Sequence, residues 1–285
     1  VSALNSNQGD PSSEVRFRTA AAGIVAAAVC LMAARPGERV LRLTHVANEG
    51  VHVSTGARAV LIDALFDAPN PAYAAPAPDV LATLVAGEAP FAGIELLLVT
   101  HNHPDHFRVA VVDRFLIAHP RVVMMAPADL VRALRDSAGN WPSYAARVRS
   151  IDLRPGERTT EEWAGGRVLA FRTLHGRTSE SPMNLMYLVE MDGWTVFHEG
   201  DSDSNPESFR AVVDGGRRID LALVHFWFPF VPAGRQIVDE VLRATRVGLI
   251  HMPLEPGQFT PQLFATLTDR FTLLSAPGQV IELRN

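Results

Sequence analysis

The sequence predicts an α+β fold in which two mixed β-sheets pack face to face and helices cover both outer faces. Three observations favour it: each half of the chain opens with strand-like segments, strands then alternate with amphipathic helices, and this order occurs twice. The chain has 285 residues, 47% of them hydrophobic, which suits one large domain or two small ones. We expect an N-terminal extension over 1–36 and a main domain over 37–285.

The N-terminal extension contains a short apolar segment. Arg16 and Arg18 precede roughly fifteen apolar residues, the order of a secretory signal peptide. The segment is too short and too rich in alanine for a stable membrane span. We therefore predict a signal peptide over 16–34 and an exported protein, periplasmic or secreted. The alternative is an alanine-rich packing helix, with the protein in the cytoplasm.

In the first half, three strand segments precede the strand–helix alternation. They cover 39–46, 51–55 and 58–66, separated by the turn sequences Asn-Glu-Gly and Thr-Gly. A Pro/Ala loop is expected over 69–79. Beyond it the pattern predicts strands over 94–100 and 121–126 and helices over 107–120 and 127–137.

The second half repeats this order. Strands are predicted over 165–173, 184–191 and 194–198, the last two joined by an Asp192-Gly193 hairpin turn. The remaining predicted strands cover 219–226, 246–251 and 279–283, and the predicted helices cover 206–216, 234–245 and 261–271.

Histidines and aspartates follow the ends of several predicted strands. They are His101, His103, Asp105, His106, His175, Asp201 and His251. Because strand ends in layered α/β proteins gather at one edge, these side chains should lie together. Imidazole and carboxylate are ligands that suit Zn²⁺. The His-x-His pair can face one ion and the adjacent Asp-His pair a second, so that both ions hold one water.

Charge and composition exclude some classes of function. The net charge is −5, all 26 basic residues are arginine, and no basic run occurs, so nucleic acid is excluded as a partner. Absence of lysine excludes Schiff-base chemistry. The single cysteine, Cys30, excludes a cysteine-based zinc cluster. We expect a small-molecule substrate, and the oligomeric state stays open.

The motif Thr-His-Asn-His-Pro-Asp-His-Phe over 100–107 is followed by Leu-His-Gly, Glu-Gly-Asp-Ser and Ile-His-Met. This set resembles the metallo-β-lactamase-fold hydrolase superfamily, and the resemblance covers 39–283. It implies an αββα sandwich with a metal site at one edge and a catalytic domain over 37–285. It also implies two ligand sets bridged by Asp201: the first is His101, His103 and His175, and the second is Asp105, His106 and His251.

The resemblance narrows to one branch of the superfamily. True β-lactamases usually have Cys or Ser where this chain has Asp201, and flavodiiron oxygen reductases have Glu where it has His103. The motifs are most similar to the branch of ascorbate-6-phosphate lactonase and N-acyl-phosphatidylethanolamine phospholipase D. That branch is defined by fold and site, so the substrate does not transfer.

Further residues are expected around the ligands. Asp63 either hydrogen-bonds the metal-binding edge or caps its strand, and His198 and His225 are expected to support the ligands. The aromatic segment 225–234 forms either an apolar pocket wall or a plug of the core. The candidate pocket residues are Tyr73, Phe107, His225, Phe226, Trp227 and Phe228.

The sequence therefore predicts a hydrolase with two divalent ions, zinc ahead of Mn²⁺ or Fe²⁺. A metal-bridging hydroxide would attack an ester, lactone, amide-like or phosphodiester bond, with Asp105 and Asp201 as catalytic residues. Three alternatives stay open: a mononuclear iron oxidoreductase of the persulfide-dioxygenase type, a β-lactamase-like activity, and a non-catalytic metal-dependent binding module. Metal analysis and substrate panels distinguish them.

Overall fold

The computed structural model describes residues 38–67, 70, 72–175, 182–255 and 257–285. The predicted signal peptide over 16–34 and Cys30 lie outside these ranges. Within them, fourteen strands form two seven-stranded sheets. None of the helices in the described ranges has the length and hydrophobicity that a bilayer span requires.

The first sheet is mixed. Its strands are β1 (Val40–Ala47), β2 (Gly50–Ser54), β3 (Ala59–Ile62), β4 (Ile94–Leu98), β5 (Val123–Pro127), β6 (Val148–Ile151) and β14 (Val280–Arg284). They lie in the order β14-β1-β2-β3-β4-β5-β6. Pairing is antiparallel from β14 to β3 and parallel from β3 to β6. The parallel strands bring their carboxyl ends to one edge.

The second sheet repeats this organisation. Its strands are β7 (Arg158–Trp163), β8 (Gly166–Thr173), β9 (Asn184–Met191), β10 (Trp194–His198), β11 (Leu221–His225), β12 (Arg246–Ile250) and β13 (Phe271–Leu273). They lie in the order β13-β12-β11-β10-β9-β8-β7, antiparallel from β7 to β10 and parallel from β10 to β13. The predicted hairpin is confirmed, since Asp192 and Gly193 both have the positive φ, 48° and 76°, of its turn.

Helices flank each sheet. They are α1 (Pro78–Ala86), α2 (Val109–Ala118), α3 (Ala128–Ser137), α4 (Trp141–Tyr144), α5 (Pro206–Arg210), α6 (Pro232–Arg235) and α7 (Pro261–Phe264). A π-helix over Gln236–Leu242 continues α6, and 3₁₀ turns cover Ala145–Arg147, Ala211–Val213 and Phe228–Phe230.

Three apolar clusters show how the layers pack. The central cluster joins inward residues of both sheets, such as Leu43 and Leu185. A second cluster packs the first sheet against its helices through residues such as Leu97 and Phe115. The third packs the other sheet against α5 and the π-helix. Apolar side chains thus fill all three interlayer spaces, and the predicted αββα sandwich is confirmed.

Some predicted boundaries are wrong. The strand expected over 58–66 ends at Ile62, because Asp63 has a φ of +48° that breaks the extended conformation. The helix expected over 261–271 is a single turn, Pro261–Phe264. Phe271, the last residue of the expected helix, belongs instead to β13, where it pairs with Val247 of β12. The loop expected over 69–79 ends where α1 begins at Pro78.

Candidate metal centre

The seven residues expected to bind metal lie together at the edge where the parallel strands end. The loop that carries His101 to His106 follows β4, His175 follows β8, Asp201 follows β10, and His251 comes directly after β12. Their donor atoms fall into two neighbouring groups with Asp201 between them. The structure therefore brings the seven residues together at one sheet edge, as the strand order predicts.

The first group contains three histidines and one oxygen of Asp201. His103 Nδ1 lies 2.9 Å from His101 Nε2 and 3.2 Å from His175 Nε2. Asp201 Oδ2 lies 3.2 Å from His175 Nε2 and 3.5 Å from His101 Nε2. Donor atoms around a tetrahedral zinc ion with 2.0–2.2 Å bonds are ~3.4 Å apart. These separations fit such an ion.

The second group faces the other oxygen of Asp201. His106 Nε2 and His251 Nε2 each lie 3.6 Å from Asp201 Oδ1. Asp105, His106 and His251 offer donor atoms that all lie within 4.8 Å of one another. Asp201 thus presents Oδ2 to one group and Oδ1 to the other.

The buried polar atoms of the second group lack partners. His106 Nε2, His251 Nε2 and Asp201 Oδ1 are buried and form no hydrogen bond with any described residue. Buried polar atoms are nearly always satisfied, because an unsatisfied one costs about 1–3 kcal/mol. A divalent cation would satisfy all three atoms at once, so the donor set fits a metal ion.

Burial sets the protonation of most of these histidines. It lowers the pKa of His101 and His103, and it lowers the pKa of His251 to about 3. Neutral imidazole is the form that ligates metal ions. Burial also acts on His106, but the Asp201 carboxylate and the Asp63 hydrogen bond outweigh it and raise its pKa to about 9.

Acidic side chains gather at the site without arginine partners among the described residues. Five carboxylates are buried or nearly buried here: Glu49, Asp63, Asp105, Glu199 and Asp201. In the described part of the chain, their ionisable partners within 4.0 Å are histidines only. An uncompensated buried charge is strongly unfavourable. Two divalent cations would supply the missing positive charge.

Asp63 anchors the first sheet to this edge. Its Oδ1 accepts from Thr100 N at 2.8 Å, and its Oδ2 accepts from Thr100 Oγ1 and from His106 Nδ1, the latter at 3.0 Å. Both roles considered for Asp63 are therefore present: it caps the strand end and it orients His106. Asp63 and His251 also share a left-handed backbone conformation, with φ of 48° and 60°, which is uncommon outside glycine.

A tight loop carries Asp201. Gly200 has a φ of +57°, and a Cβ there would lie 2.5 Å from Asn184 Oδ1 and 2.8 Å from Thr100 Cβ. Asn184 Oδ1 accepts from Asp201 N at 3.1 Å, while its amide donates to Glu199 O and Ser202 Oγ. The glycine of the Glu-Gly-Asp motif therefore lets the loop approach β4 and β9 closely.

The model of the family described as the β-lactamase superfamily domain matches residues 58–270. The chain belongs to this family. The match includes all seven residues of the two donor groups. The superfamily resemblance of the motifs is thereby confirmed, and the narrower lactonase and phospholipase branch stays a prediction.

Solved structures share the fold of this β-lactamase superfamily domain at low identity. An isothiocyanate hydrolase from Delia radicum gut bacteria has a TM-score of 0.58 and 13% identity over 86% of this chain and 100% of its own. Igni18, a metallo hydrolase from Ignicoccus hospitalis, has a TM-score of 0.55 and 16% identity over 86% and 98%. No curated protein matches the sequence.

CmlA, a diiron β-hydroxylase from Streptomyces venezuelae, also shares the fold, with a TM-score of 0.51 and 19% identity over 76% of this chain. The chain spans only 45% of that protein's length. At such identities the likeness shows the fold alone.

A cavity of about 640 Å³ opens onto the two donor groups. Its wall includes Tyr73, His225, Phe226 and Trp227, as expected from the sequence. Phe107 and Phe228 were expected there too, but that expectation is wrong. Phe107 is 4% exposed within the apolar cluster beside α2, and Phe228 is fully buried against Phe209. Segment 225–234 is therefore partly wall and partly core.

His198 lies behind the site. Its Nε2 lies 3.0 Å from Glu49 O and its Nδ1 accepts from Gly200 N. It therefore holds two backbone turns and has no hydrogen bond to the seven expected ligands in the described structure.

The sequence did not point to four residues that contact the site. Asn48 and Asn70 each donate to Asp105 Oδ2, at 3.3 and 3.2 Å. The sequence places Glu49 in the Asn-Glu-Gly turn and Glu199 in the Glu-Gly-Asp motif, with no role for either side chain. The sequence carries no signal for either, because their complete burial is a property of the fold.

Proposed function

We propose that the chain is a dinuclear metal-dependent hydrolase acting on an ester, lactone, amide-like or phosphodiester bond of a small molecule. The observation that carries the proposal is Asp201, whose two oxygens face two separate histidine groups, as a bridging carboxylate requires. The first ion is assigned to His101, His103 and His175. The second is assigned to Asp105, His106 and His251, with zinc expected ahead of manganese or iron.

Two divalent ions, when bound, would activate a water and polarise the bond that it attacks. The chain's own residues prepare that reaction. Asp105 is held by the amides of Asn48 and Asn70, which fixes its carboxylate beside the second group. The carboxylate can then orient the attacking water and accept its proton.

Tyr73 is positioned to bind the substrate. Its ring lies 4.1 Å from that of His251, and it lines the cavity. Burial and the charges of Asp201 and Asp105 raise the pKa of Tyr73 to about 12. The hydroxyl therefore stays protonated at neutral pH and can donate a hydrogen bond to a substrate oxygen.

The remaining wall favours a small, partly apolar substrate. Phe226 and Trp227 supply aromatic surface to the cavity that the metal-binding residues also line. A volume of about 640 Å³ falls within the range of small-molecule sites. This combination suits an acyl compound with an apolar group.

The test combines metal counting with substrate panels. Protein loaded with zinc or manganese should contain about two ions per chain and hydrolyse at least one member of an ester, lactone, amide and phosphodiester panel. A folded sample with two ions that is inactive across the panel would favour a binding module. A single tightly bound iron would favour the iron oxidoreductase.

Oxygen chemistry is the second candidate. The buried carboxylate of Glu49 adds an oxygen donor to a site that already contains Asp105 and Asp201, and such ligands also suit iron. CmlA, which shares the fold, is a diiron hydroxylase. Oxygen consumption by iron-loaded protein, measured against zinc-loaded protein, distinguishes this candidate from hydrolysis.

A further inference from the structure

Packing does not explain why the acidic side chain of Glu49 is buried. It lies in the turn between β1 and β2, its side chain is completely buried, and neither carboxylate oxygen accepts a hydrogen bond from an N–H or hydroxyl group of the described residues. The nearest basic nitrogen is His106 Nδ1, 4.0 Å from Glu49 Oε2, and that nitrogen already faces Asp63. A buried, unpaired carboxylate costs several kcal/mol and normally coordinates a metal or pairs with a charge.

The turn is built so that this carboxylate points inward. Asn48 has a φ of +50°, a conformation that asparagine tolerates, and its carbonyl oxygen lies 3.0 Å from His45 Nε2. The Glu49 carbonyl lies 3.0 Å from His198 Nε2. A Cβ on Gly50 would lie 2.9 Å from the Asp63 carbonyl, so only glycine allows this approach. Contacts to the backbone on both sides therefore fix the direction of the Glu49 side chain.

His225 is oriented in the manner of a metal-ligating histidine. Glu199 Oε1 lies 2.6 Å from His225 Nδ1 and also accepts from the His225 backbone N–H. The proton is thereby held on Nδ1, and the Nε2 lone pair faces Asp201 Oδ1 at 3.9 Å. His106 has the same arrangement, with Asp63 behind its Nδ1. A carboxylate behind the distal nitrogen is the usual support of a ligating imidazole.

These two side chains converge on atoms already assigned to the second ion. Glu49, Asp201, His225 and His251 each offer a donor atom, and all four atoms lie within 4.8 Å of one another. His251 Nε2, Asp201 Oδ1 and both Glu49 oxygens are buried without partners in the described structure. Phe228 stacks on the His225 ring at 5.7 Å and holds it toward this position.

We propose that Glu49 and His225 are ligands of the second ion and, with Asp201 and His251, form a four-donor position. The inference rests on the proposed dinuclear site and extends its ligand set beyond the seven residues of the motifs. Two carboxylates and two imidazoles form a set that suits a divalent transition-metal ion.

The test measures metal affinity in variants that keep the shape of the site. Metal-free protein, prepared with a chelator, is titrated with Zn²⁺ and with Mn²⁺ by calorimetry, and bound metal is counted after dialysis. Glu49→Gln removes a charged ligand at nearly constant volume, and His225→Asn removes the Nε2 donor. Each should weaken the second ion by at least about tenfold, while affinity for the first stays within about threefold.

Matched controls separate ligation from charge and from burial. Asp113→Asn removes a buried carboxylate on α2, hydrogen-bonded to Asn140 and Tyr144 and outside the cluster, so it removes no donor atom. His52→Asn removes another buried histidine, on β2 against Phe91, outside the cluster. Both controls should bind the second ion within about threefold of the parent. Circular dichroism of the metal-free samples verifies that each variant folds.

The outcomes distinguish this inference from the proposed function. If the parent binds two ions and Glu49→Gln and His225→Asn bind the second as tightly, the inference is wrong and the dinuclear site stands. If Asp113→Asn or His52→Asn weakens the second ion as much as Glu49→Gln does, the loss does not come from ligation, and the inference also fails. A parent that binds fewer than two ions would overturn the dinuclear proposal itself.

Discussion

Replacing Gly200 by alanine tests the geometry of the Asp201 loop with a magnitude that follows from the structure. The left-handed backbone at φ +57° costs a non-glycine residue ~1–2 kcal/mol. The added Cβ would lie 2.5 Å from Asn184 Oδ1, and Asn184 cannot move freely, because its amide and oxygen form hydrogen bonds with four neighbours. Overpacking of this kind costs a further ~1–3 kcal/mol. The free energy of unfolding should therefore fall by ~2–5 kcal/mol.

The assay is thermal unfolding with Gly215→Ala as the matched control. Gly215 has a similar φ of +76°, but a Cβ there would meet no atom within 4 Å, so the control carries only the backbone cost of ~1–2 kcal/mol. At ~2–4 °C per kcal/mol, the melting temperature should fall roughly 4–20 °C in Gly200→Ala and roughly 2–8 °C in the control. Only Gly200→Ala should also lose bound metal. Equal melting temperatures and equal metal content would refute the reasoning.

The other predictions concern the ligands and the cavity. Asp201→Asn should release the second ion, lower turnover near neutrality and move the rising, acidic limb of activity to higher pH; two retained ions with full turnover would contradict this. His103→Ala and His251→Ala should each lower the metal count from about two to nearer one, with activity lost, and a retained pair of ions in either would show the assignment wrong. In metal-free protein, the pKa of His106 is about 9 in the folded chain and ~6.5 in the unfolded chain. This difference adds on the order of 3 kcal/mol to the free energy of unfolding below pH 6.5, and the contribution is lost as the pH rises through 9. Chelator-treated protein that denatures at the same urea concentration at pH 6 and pH 9.5 would contradict that sign. Tyr73→Phe should lower kcat/KM ~5- to 30-fold with metal content unchanged, as expected for one lost hydrogen bond; an unchanged kcat/KM would remove Tyr73 from substrate binding.

The sheet edge that carries the site could be predicted because the same local pattern, an apolar strand followed by polar residues, recurs along the chain. Polar motifs such as the one over 100–107 follow apolar strands that have no use for imidazole in packing. Strand ends of the two packed sheets meet at one edge, so residues distant in sequence, such as His106 and His251, become neighbours. The core was equally predictable, since the runs of apolar residues in β4 and β11 can only be buried on both faces.

The missed residues depend on side-chain direction, which strand patterns do not fix. Asn-Glu-Gly has the composition of a turn, and it is a turn, but the left-handed Asn48 and the close approach of Gly50 rotate Glu49 inward. Glu199 meets His225 across two neighbouring strands, a tertiary pairing without a local signal. The pocket prediction for Phe107 is wrong for a similar reason. An isolated β-bridge pairs Phe107 with Leu65, and the ring lies in the core.

Helix α1 was not predicted from the sequence, because the Pro/Ala composition before it indicates a loop and the helix start and stop signals were not weighed against it. A Pro/Ala segment is typical of a loop, yet Pro78 occupies the first turn of a helix, where its missing N–H is not needed. Gly87, with φ +69°, ends the helix, and Leu81 and Leu84 bury its inner face. The start and stop signals were present on either side of an alanine-containing run.

The central claim is that Asp201 lies between two metal ions. Anomalous diffraction from crystals of metal-loaded protein, collected at the edge of the bound metal, tests it directly. Two peaks should appear, one ~2.0–2.2 Å from Asp201 Oδ2 among His101, His103 and His175, the other at a similar distance from Oδ1 beside His251. A single peak, or two peaks without Asp201 between them, would contradict the account.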